Sequence, residues 1–162
     1  MPLTTLDPNP ALVVIDLQKG IVSDTVAHVV RHAAALAKAF RRHSLPVVLV
    51  NVTGRAPGRT DAGGRGSAGP LPAGWADIID ELERQPDDHL ITKRRRSAFH
   101  DTGLDTLLRD LGVTQVVLAT DAMADHDPDS HRHSLERVFP KLGETATSAE
   151  IVDFLDRRPR TP

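Results

Sequence analysis

The sequence predicts an α/β fold, a doubly wound (Rossmann-like) parallel sheet with helices on both faces. Short apolar runs rich in β-branched residues alternate along the chain with amphipathic segments of helical period. Such runs carry few polar residues, which is typical of parallel strands buried on both faces. Aromatic residues make up only 3% of the chain, so Val, Leu, Ile and Ala must fill most of the core. The alternation continues through all 162 residues and favours one domain spanning residues 1–162.

The first third of the chain predicts a βαβ unit. Residues 11–15 (ALVVI) form a continuous apolar run that predicts a buried strand, and Asp16 comes directly after it. Residues 24–43 carry apolar side chains three and four positions apart, which predicts an amphipathic helix. Residues 47–52 (VVLVNV) predict a second buried strand. The connection between the two strands should be right-handed.

A long segment poor in large apolar residues follows the second strand. Ten of the 22 residues in 53–74 are Gly or Pro, a composition that buries too little apolar surface to order itself. The segment contains GGRG but neither the GxxxxGK[ST] pattern nor a strand-to-helix GxGxxG pattern of phosphate-binding loops. We therefore predict a mobile loop over residues 53–74.

The middle of the chain predicts a third strand between two helices. Apolar residues within 75–82 recur at helical spacing and predict a short helix. Residues 89–92 then predict a strand that ends at Lys93. Thr102 is a suitable N-cap for the leucine-rich helix that follows, and Gly112 stands where a C′ glycine belongs.

The last third predicts a fourth strand and two helices. Residues 113–119 (VTQVVLA) have the composition of a strand. Asp127, followed by Pro128, predicts the start of a helix that continues to about Phe139. Residues 148–155 predict the final helix.

Composition excludes several classes of function. A formal net charge of −2 gives no electrostatic reason to expect a nucleic acid or an anionic membrane as partner. No apolar run approaches the ~18 residues of a membrane span. Without Cys there is no disulfide, no thiolate nucleophile and no Cys-bound metal. The opening MPLTTLDPNP lacks the basic and apolar regions of a secretion signal, so we expect a cytoplasmic protein.

Two charged residues follow predicted strands and are candidates for chemistry. Ligands of open parallel sheets bind outside the carboxyl ends of the strands, where Asp16 and Lys93 should converge. A carboxylate beside a lysine is suited to act as a general base or proton relay. The alternative is structural: Asp16 caps a turn, and Lys93 begins the solvated run KRRR.

Two further patterns are better explained by structure than by function. Residues 125–133 contain Asp and His side chains that could bind a metal, but His131 and His133 diverge by about 200° on a helix at roughly 100° per residue. Capping and solvation explain them better. The basic run 93–96 stands alone without interleaved aromatic residues, which favours a solvated edge over a nucleic-acid site.

Three segments in order resemble the isochorismatase-like (cysteine hydrolase) family. ALVVIDLQKGIV (residues 11–22) resembles the family's first strand. TKRRRSAFHDTGLDTLLRDLGVTQVVLA (92–119) resembles the stretch with the catalytic Lys, and TDAMADHDPDSHRHSLERVFPKLGETATSAEI (120–151) resembles the carboxyl-terminal region. Together the segments touch most of the chain, and their order is more specific than any one motif.

The resemblance implies site residues and a substrate class. Asp16 and Lys93 correspond to two members of the family's catalytic triad, and Gln18 and Phe99 are assigned to the substrate pocket. It implies a small-molecule substrate and no cofactor. Nicotinamidase-like relatives carry an Asp-x-His metal element, and nothing after the second strand matches it, so no metal is expected.

The chain departs from the family where the nucleophile should be. After the strand VVLA, family members run into a Gly-Val-x-Thr turn with the nucleophilic Cys, then a helix, another strand and an Asp-Ala segment. Here VVLA (116–119) joins directly to Thr120 and Asp121. We therefore expect one strand and one helix fewer than in the family, about 30 residues by the usual size of such a unit.

Two functions are consistent with these features. The first is an isochorismatase-like hydrolase of a small amide or enol ether, impaired because the nucleophile segment is absent; Cys-free isochorismatases resemble this scaffold and cleave a vinyl ether with an Asp acid. The second is a catalytically silent remnant that binds a small molecule or an oligomeric partner. We also expect a homo-oligomer, most simply a dimer, because a lost strand uncovers a sheet edge.

Overall fold

The computed structural model describes residues 3–54 and 70–158. The strands are β1 (Leu12–Ile15), β2 (Val47–Val52), β3 (His89–Lys93), β4 (Val117–Ala119) and β5 (Glu144–Ala146). The α-helices are α1 (Ala27–Arg42), α2 (Leu104–Asp110), α3 (Pro128–His133) and α4 (Ser148–Asp156). A π-helical turn, Ser134–Val138, continues α3, and 3₁₀ turns cover Asp24–Val26, Asp80–Leu82 and Phe139–Lys141.

All described strand pairs within the two sheets are parallel. The first sheet has the order β1-β2-β3, in which Ile15 pairs with Val50 and Val52 pairs with Lys93. The second sheet consists of β4 and β5. The predicted α/β fold with parallel strands and helices is confirmed.

The alternating side chains of β2 separate two apolar layers. Val47 and Leu49 point into a large cluster with residues of α1 and α4. Val48 and Val50 face the other way and pack with Leu104 of α2. Side chains alternate along a strand, so this buried run contacts helices on both faces of the sheet, as predicted.

Residues 75–79 correct one prediction. The apolar spacing predicted a helix over 75–82, but only Asp80–Leu82 forms a 3₁₀ turn, and Ile78 makes an antiparallel bridge with Gln18. The carbonyls of Trp75 and Asp77 accept hydrogen bonds from the amides of Gly20 and Lys19 instead of from a helix. Pairing with the segment after β1 therefore outweighs the local helical pattern.

The carboxyl-terminal third differs in detail from the prediction. The predicted strand 113–119 is shorter, since β4 contains only Val117–Ala119, and β5 was not predicted. Asp127 caps α3 with Pro128 at its first position, as expected. The helical path changes to π geometry over Ser134–Val138 and then to 3₁₀ geometry over Phe139–Lys141, where Pro140 has no amide hydrogen to continue an α-helix.

Part of the predicted loop 53–74 lies outside the described residues, namely 55–69. Its mobility stays a prediction. Among the helices in the described part of the chain, none is both long and apolar enough to cross a membrane.

Candidate active site

Asp16 is placed by the end of β1. Its amide still donates to the carbonyl of Val50 at 2.9 Å, so the residue occupies the last rung of the β1-β2 ladder. Its φ of 66° is left-handed, a conformation that Asp adopts more readily than most non-glycine residues. The chain turns there, and the carboxylate lies at the carboxyl edge of the sheet.

Lys93 ends β3 and reaches the same edge. Its side chain is only 5% exposed, whereas that of Asp16 is 37% exposed. The ammonium Nζ donates to Asp16 Oδ2 at 2.9 Å and to the carbonyl of Arg96 at 2.9 Å. A buried ammonium needs such partners because its desolvation is costly. The structure thus brings together the two residues that the strand order predicted would converge.

The second carboxylate oxygen of Asp16 is free to accept. Asp16 Oδ1 is buried and receives no hydrogen bond from the residues that the structure describes. An unpaired buried acceptor is unfavourable, so this oxygen favours a donor, and a small movement of the partly exposed side chain would let a bound molecule supply one. The pair can therefore bind or transfer a proton at Oδ1 while Lys93 holds Oδ2.

Gln18 lies close to the pair but faces the protein interior. Its side chain is fully buried, and its amide bonds to the backbone of Val52 and Trp75. The structure therefore gives Gln18 a structural task, and its assignment to a substrate pocket stays a prediction.

Phe99 lies in the segment between β3 and α2. The residue is 56% exposed, and its backbone amide donates to the hydroxyl of Ser97 at 3.2 Å. Its neighbour Ala98 is buried against Leu104. A ring presented to solvent beside this edge is available to a ligand, and its pocket role stays a prediction.

Asn51 is a buried polar residue near the site that the sequence analysis did not single out. Its amide nitrogen donates to the carbonyl of Ala76 at 2.8 Å, and its oxygen accepts from the hydroxyl of Thr92. It therefore joins β2 to β3 and to the segment 75–79. Asn51 is the only polar residue in the apolar run VVLVNV, and this feature of the sequence could have indicated its role.

A second polar cluster joins α1, β4 and α4. Ser148, at the first position of α4, donates from its amide and its hydroxyl to the carboxylate of Asp121, each at 2.7 Å. The hydroxyl of Ser148 also lies 2.9 Å from Nδ1 of His32. Because the amide and the hydroxyl of Ser148 both bond to Asp121, the cluster fixes the start of α4.

The Asp- and His-rich segment behaves as a helix start. The carboxylate of Asp127 accepts from the hydroxyl of Ser130 and the amide of Asp129, and these bonds hold its pKa below the ordinary value of 3.8. Capping therefore explains Asp127. Within residues 3–54 and 70–158, no group of three or more His, Asp or Glu side chains is arranged to bind a metal.

These features define a parallel α/β protein with a partly buried Asp–Lys ion pair at the carboxyl edge of its sheet. The isochorismatase domain matches residues 10–119, which include both members of the pair. The match covers more than half of the sequence, so the chain belongs to the isochorismatase family.

Similar proteins share its fold over nearly their whole length. An uncharacterized isochorismatase family protein, YwoC of Bacillus subtilis, is 33% identical over 174 residues, covering 88% of this chain and 92% of that protein. An isochorismatase family protein from Burkholderia thailandensis has a TM-score of 0.84 and 32% identity, covering 94% and 98% of the two chains. N-carbamoylsarcosine amidase from Thermoplasma acidophilum shares the fold, with a TM-score of 0.65 and 22% identity over 86% of this chain and 96% of that chain.

Proposed function

We propose that this chain is a hydrolase of a small amide or enol ether, and that its activity is weak. The observation that carries the proposal is the ion pair of Asp16 and Lys93 at the carboxyl edge, with Asp16 Oδ1 free to accept. Family membership supports hydrolysis as the reaction class. The name of the structurally similar amidase supports an amide as one substrate class.

The two residues have different roles in this proposal. Asp16 transfers the proton, because its Oδ1 is buried at the edge without a donor among the described residues. Lys93 is held by Asp16 and by the carbonyl of Arg96, and it orients the carboxylate and stabilises its charge. With an enol ether, the Asp16 carboxyl protonates the terminal vinyl carbon, water adds to the resulting cation and returns a proton to the carboxylate, and the hemiketal then breaks its C–O bond to release an alcohol and a carbonyl compound. With an amide, the carboxylate accepts a proton from the attacking water and gives it to the leaving nitrogen as the C–N bond breaks.

We attribute the weak activity to a missing strand-helix unit after β4. Three observations support that loss. The strands β1 and β4 belong to separate sheets among the described residues. The isochorismatase domain match ends at Ala119, the last residue of β4. The match to the Bacillus protein runs over 174 positions, whereas 88% of this 162-residue chain is about 143 residues, as expected when a segment is absent here.

The size of the impairment follows from what the pair alone can supply. General acid/base catalysis contributes typically 10² to 10⁴-fold, whereas whole enzymes reach at least ~10⁶. The absent turn would also have supplied backbone donors, and losing one oxyanion donor costs about 10² to 10³ in rate. We therefore expect slow turnover of an enol ether and slower turnover of amides.

The test is turnover of isochorismate and a panel of amides, including nicotinamide, by the parent chain and Asp16→Asn. The matched control is Asp88→Asn, which changes an ion-paired, buried carboxylate at the other end of β3. We expect slow enol-ether turnover that is lost in Asp16→Asn and kept in Asp88→Asn, with folding of each variant checked by circular dichroism. Activity unchanged by Asp16→Asn would remove Asp16 from the mechanism, and rapid amide hydrolysis would contradict the impairment.

A silent remnant with an oligomeric role is the second candidate, and one observation favours it. Large apolar side chains are exposed at the end of β1 and beside β4: Ile15, Val116 and Leu142. Exposed apolar surface near an unpaired strand edge favours association.

For this candidate we expect the mass of a dimer by light scattering across a range of concentrations, together with no turnover of any compound in the panel. A mass equal to one 17.6 kDa chain at every concentration would contradict the oligomer.

A further inference from the structure

Gln18 uses both side-chain donors and one acceptor position of its amide within the protein. Its side chain is 0% exposed. Nε2 donates to the carbonyls of Val52 and Trp75, each at 3.1 Å, and Oε1 accepts from the amide of Val52 at 2.7 Å. An amide offers two N–H donors, and both are taken, so this side chain has no donor left for a substrate.

These bonds extend the β1-β2 ladder by one rung. Ile15 pairs with Val50, and Asp16 donates to Val50, but the chain then turns away at the left-handed Asp16. Val52 would otherwise have no β1 partner for its amide and carbonyl. The side-chain amide of Gln18 has the same donor and acceptor groups as a peptide bond and bonds to both.

The extra rung connects Gln18 to both members of the ion pair. On one side, the backbone amide of Gln18 donates to the backbone carbonyl of Asp16 at 3.0 Å. On the other side, Val52 is the register partner of Lys93, and the next residue, Thr53, donates to the carbonyl of Lys93 at 3.0 Å. Displacement of Gln18 would therefore move the backbones that carry both charged groups.

The third side-chain bond of Gln18 attaches the segment 75–79 to the turn after β1. The carbonyl of Trp75 accepts from Gln18 Nε2 and also from the amide of Gly20. A Cβ on Gly20 would lie 2.1 Å from Cδ1 of Trp75, so only glycine allows the indole this close. Gln18 thus joins three segments of the chain at one buried point beside the acid/base pair.

We propose that Gln18 is a positioning residue that sets the geometry of the Asp16–Lys93 pair without touching substrate. The catalytic part of this inference, that the position of the pair affects turnover, rests on the proposed function. Its geometric content, that Gln18 holds the two charged residues in place, can be measured whether or not the chain turns over any substrate.

The first measurement needs no substitution. Hydrogen exchange by NMR should show the side-chain NH₂ of Gln18 to be at least about tenfold slower than that of the exposed Gln85, since buried and bonded amides are protected. Equal exchange rates for the two side chains would overturn the anchoring on which the proposal depends.

The second measurement compares Gln18→Met with Arg41→Met. Arg41 forms an ion pair with the buried Asp88 at the amino end of β3, so its loss should destabilise the fold away from the site. Both variants should unfold at lower urea concentration, but only Gln18→Met should shift the ¹⁵Nζ signal of Lys93. An unshifted Lys93 signal in folded Gln18→Met would reduce Gln18 to a purely structural residue.

Gln18→Glu is the conservative variant and keeps the test decisive if Gln18→Met does not fold. Burial favours the protonated form of the introduced carboxyl, which then offers one acceptor and one donor to Val52. We expect its Lys93 signal to stay near that of the parent. If the ¹⁵Nζ signal of Lys93 in Gln18→Glu moved to the position of a lysine without an ion-pair partner, the bonds between Gln18 and Val52 would not be what positions Lys93.

Kinetics separate the two proposals. If the parent turns over an enol ether, Gln18→Met should lower kcat by about 10 to 100-fold, since small misplacements of reacting groups are costly, and leave KM unchanged. A raised KM with unchanged kcat would mean that Gln18 contacts substrate. If the parent shows no turnover, the proposed function fails, and the Lys93 signal alone decides the positioning role.

Discussion

The central strand of the three-stranded sheet is buried more deeply than either strand of the two-stranded sheet. In β2, five of six residues are buried, with Val48, Leu49 and Val50 at zero exposure. In β4 all three residues are half-buried, and in β5 only Ala146 is buried. The Asp16–Lys93 ion pair belongs to the sheet with the buried central strand. The two-stranded sheet, beside which we propose that a unit is missing, has shorter strands and no deeply buried one.

Polar contacts hold much of the second sheet in place. Glu144 of β5 accepts from Thr4 and Gln115, and Asp121 after β4 accepts from Ser148. Apolar burial there comes mainly from α4, whose Ile151 and Leu155 pack in the same cluster as α1. Both sheets thus contribute to one apolar cluster, but the two-stranded sheet contributes fewer buried residues to it and is held in addition by this set of hydrogen bonds.

The largest effect should come from a core truncation in β2. Leu49→Ala removes a fully buried side chain, and such changes cost about 2–5 kcal/mol of unfolding free energy. Leu118→Ala in β4 removes a half-buried side chain and should cost about 1 kcal/mol or less. Urea unfolding of both variants against the parent measures the difference. Equal losses would contradict the contrast between the two sheets.

Residues in continuous apolar strands were predictable from the sequence. The run VVLVNV matches β2 (Val47–Val52) residue for residue because strands buried on both faces need an unbroken apolar pattern. The convergence of Asp16 and Lys93 was predictable for the same reason, since the carboxyl ends of parallel strands share an edge. Their catalytic role stays a prediction.

Contacts between distant segments were not predictable. The strand β5 is only three residues long and reads ETA, so no apolar run marked it. The segment 75–79 has helical spacing, but its backbone pairs with the turn after Asp16. The three bonds of Gln18 involve Val52 and Trp75, 34 and 57 residues away, and a pattern within one segment carries no information on them.

A smaller effect should come from the start of α4. Thr147 caps this helix in a reciprocal capping box with Glu150, and the loss of such a cap typically costs about 1 kcal/mol. Thr147→Ala should therefore lower the urea midpoint, whereas Thr147→Ser, which keeps the hydroxyl, should stay within a few tenths of a kcal/mol of the parent. A Thr147→Ala midpoint equal to that of the parent would show that hydrogen bonds at this cap add nothing to the stability of this half.

The smallest effect should be on the stability of the fold in acid, through the carboxylate of Glu144. Hydrogen bonds from the side chain and the amide of Thr4 hold the pKa of Glu144 below its ordinary value of 4.5. A carboxyl with a lowered folded-state pKa adds stability that is present above the unfolded-state pKa and is lost as pH falls through the folded-state pKa. The difference in urea midpoint between the parent and Glu144→Gln should therefore be constant from pH 7 to about 5 and shrink toward pH 3. The exposed Glu136→Gln makes the same charge change without these bonds and serves as the control. If the parent lost no more stability in acid than Glu144→Gln does, the bonds from Thr4 would not favour the charged form, and the polar contacts would not be what holds the second sheet.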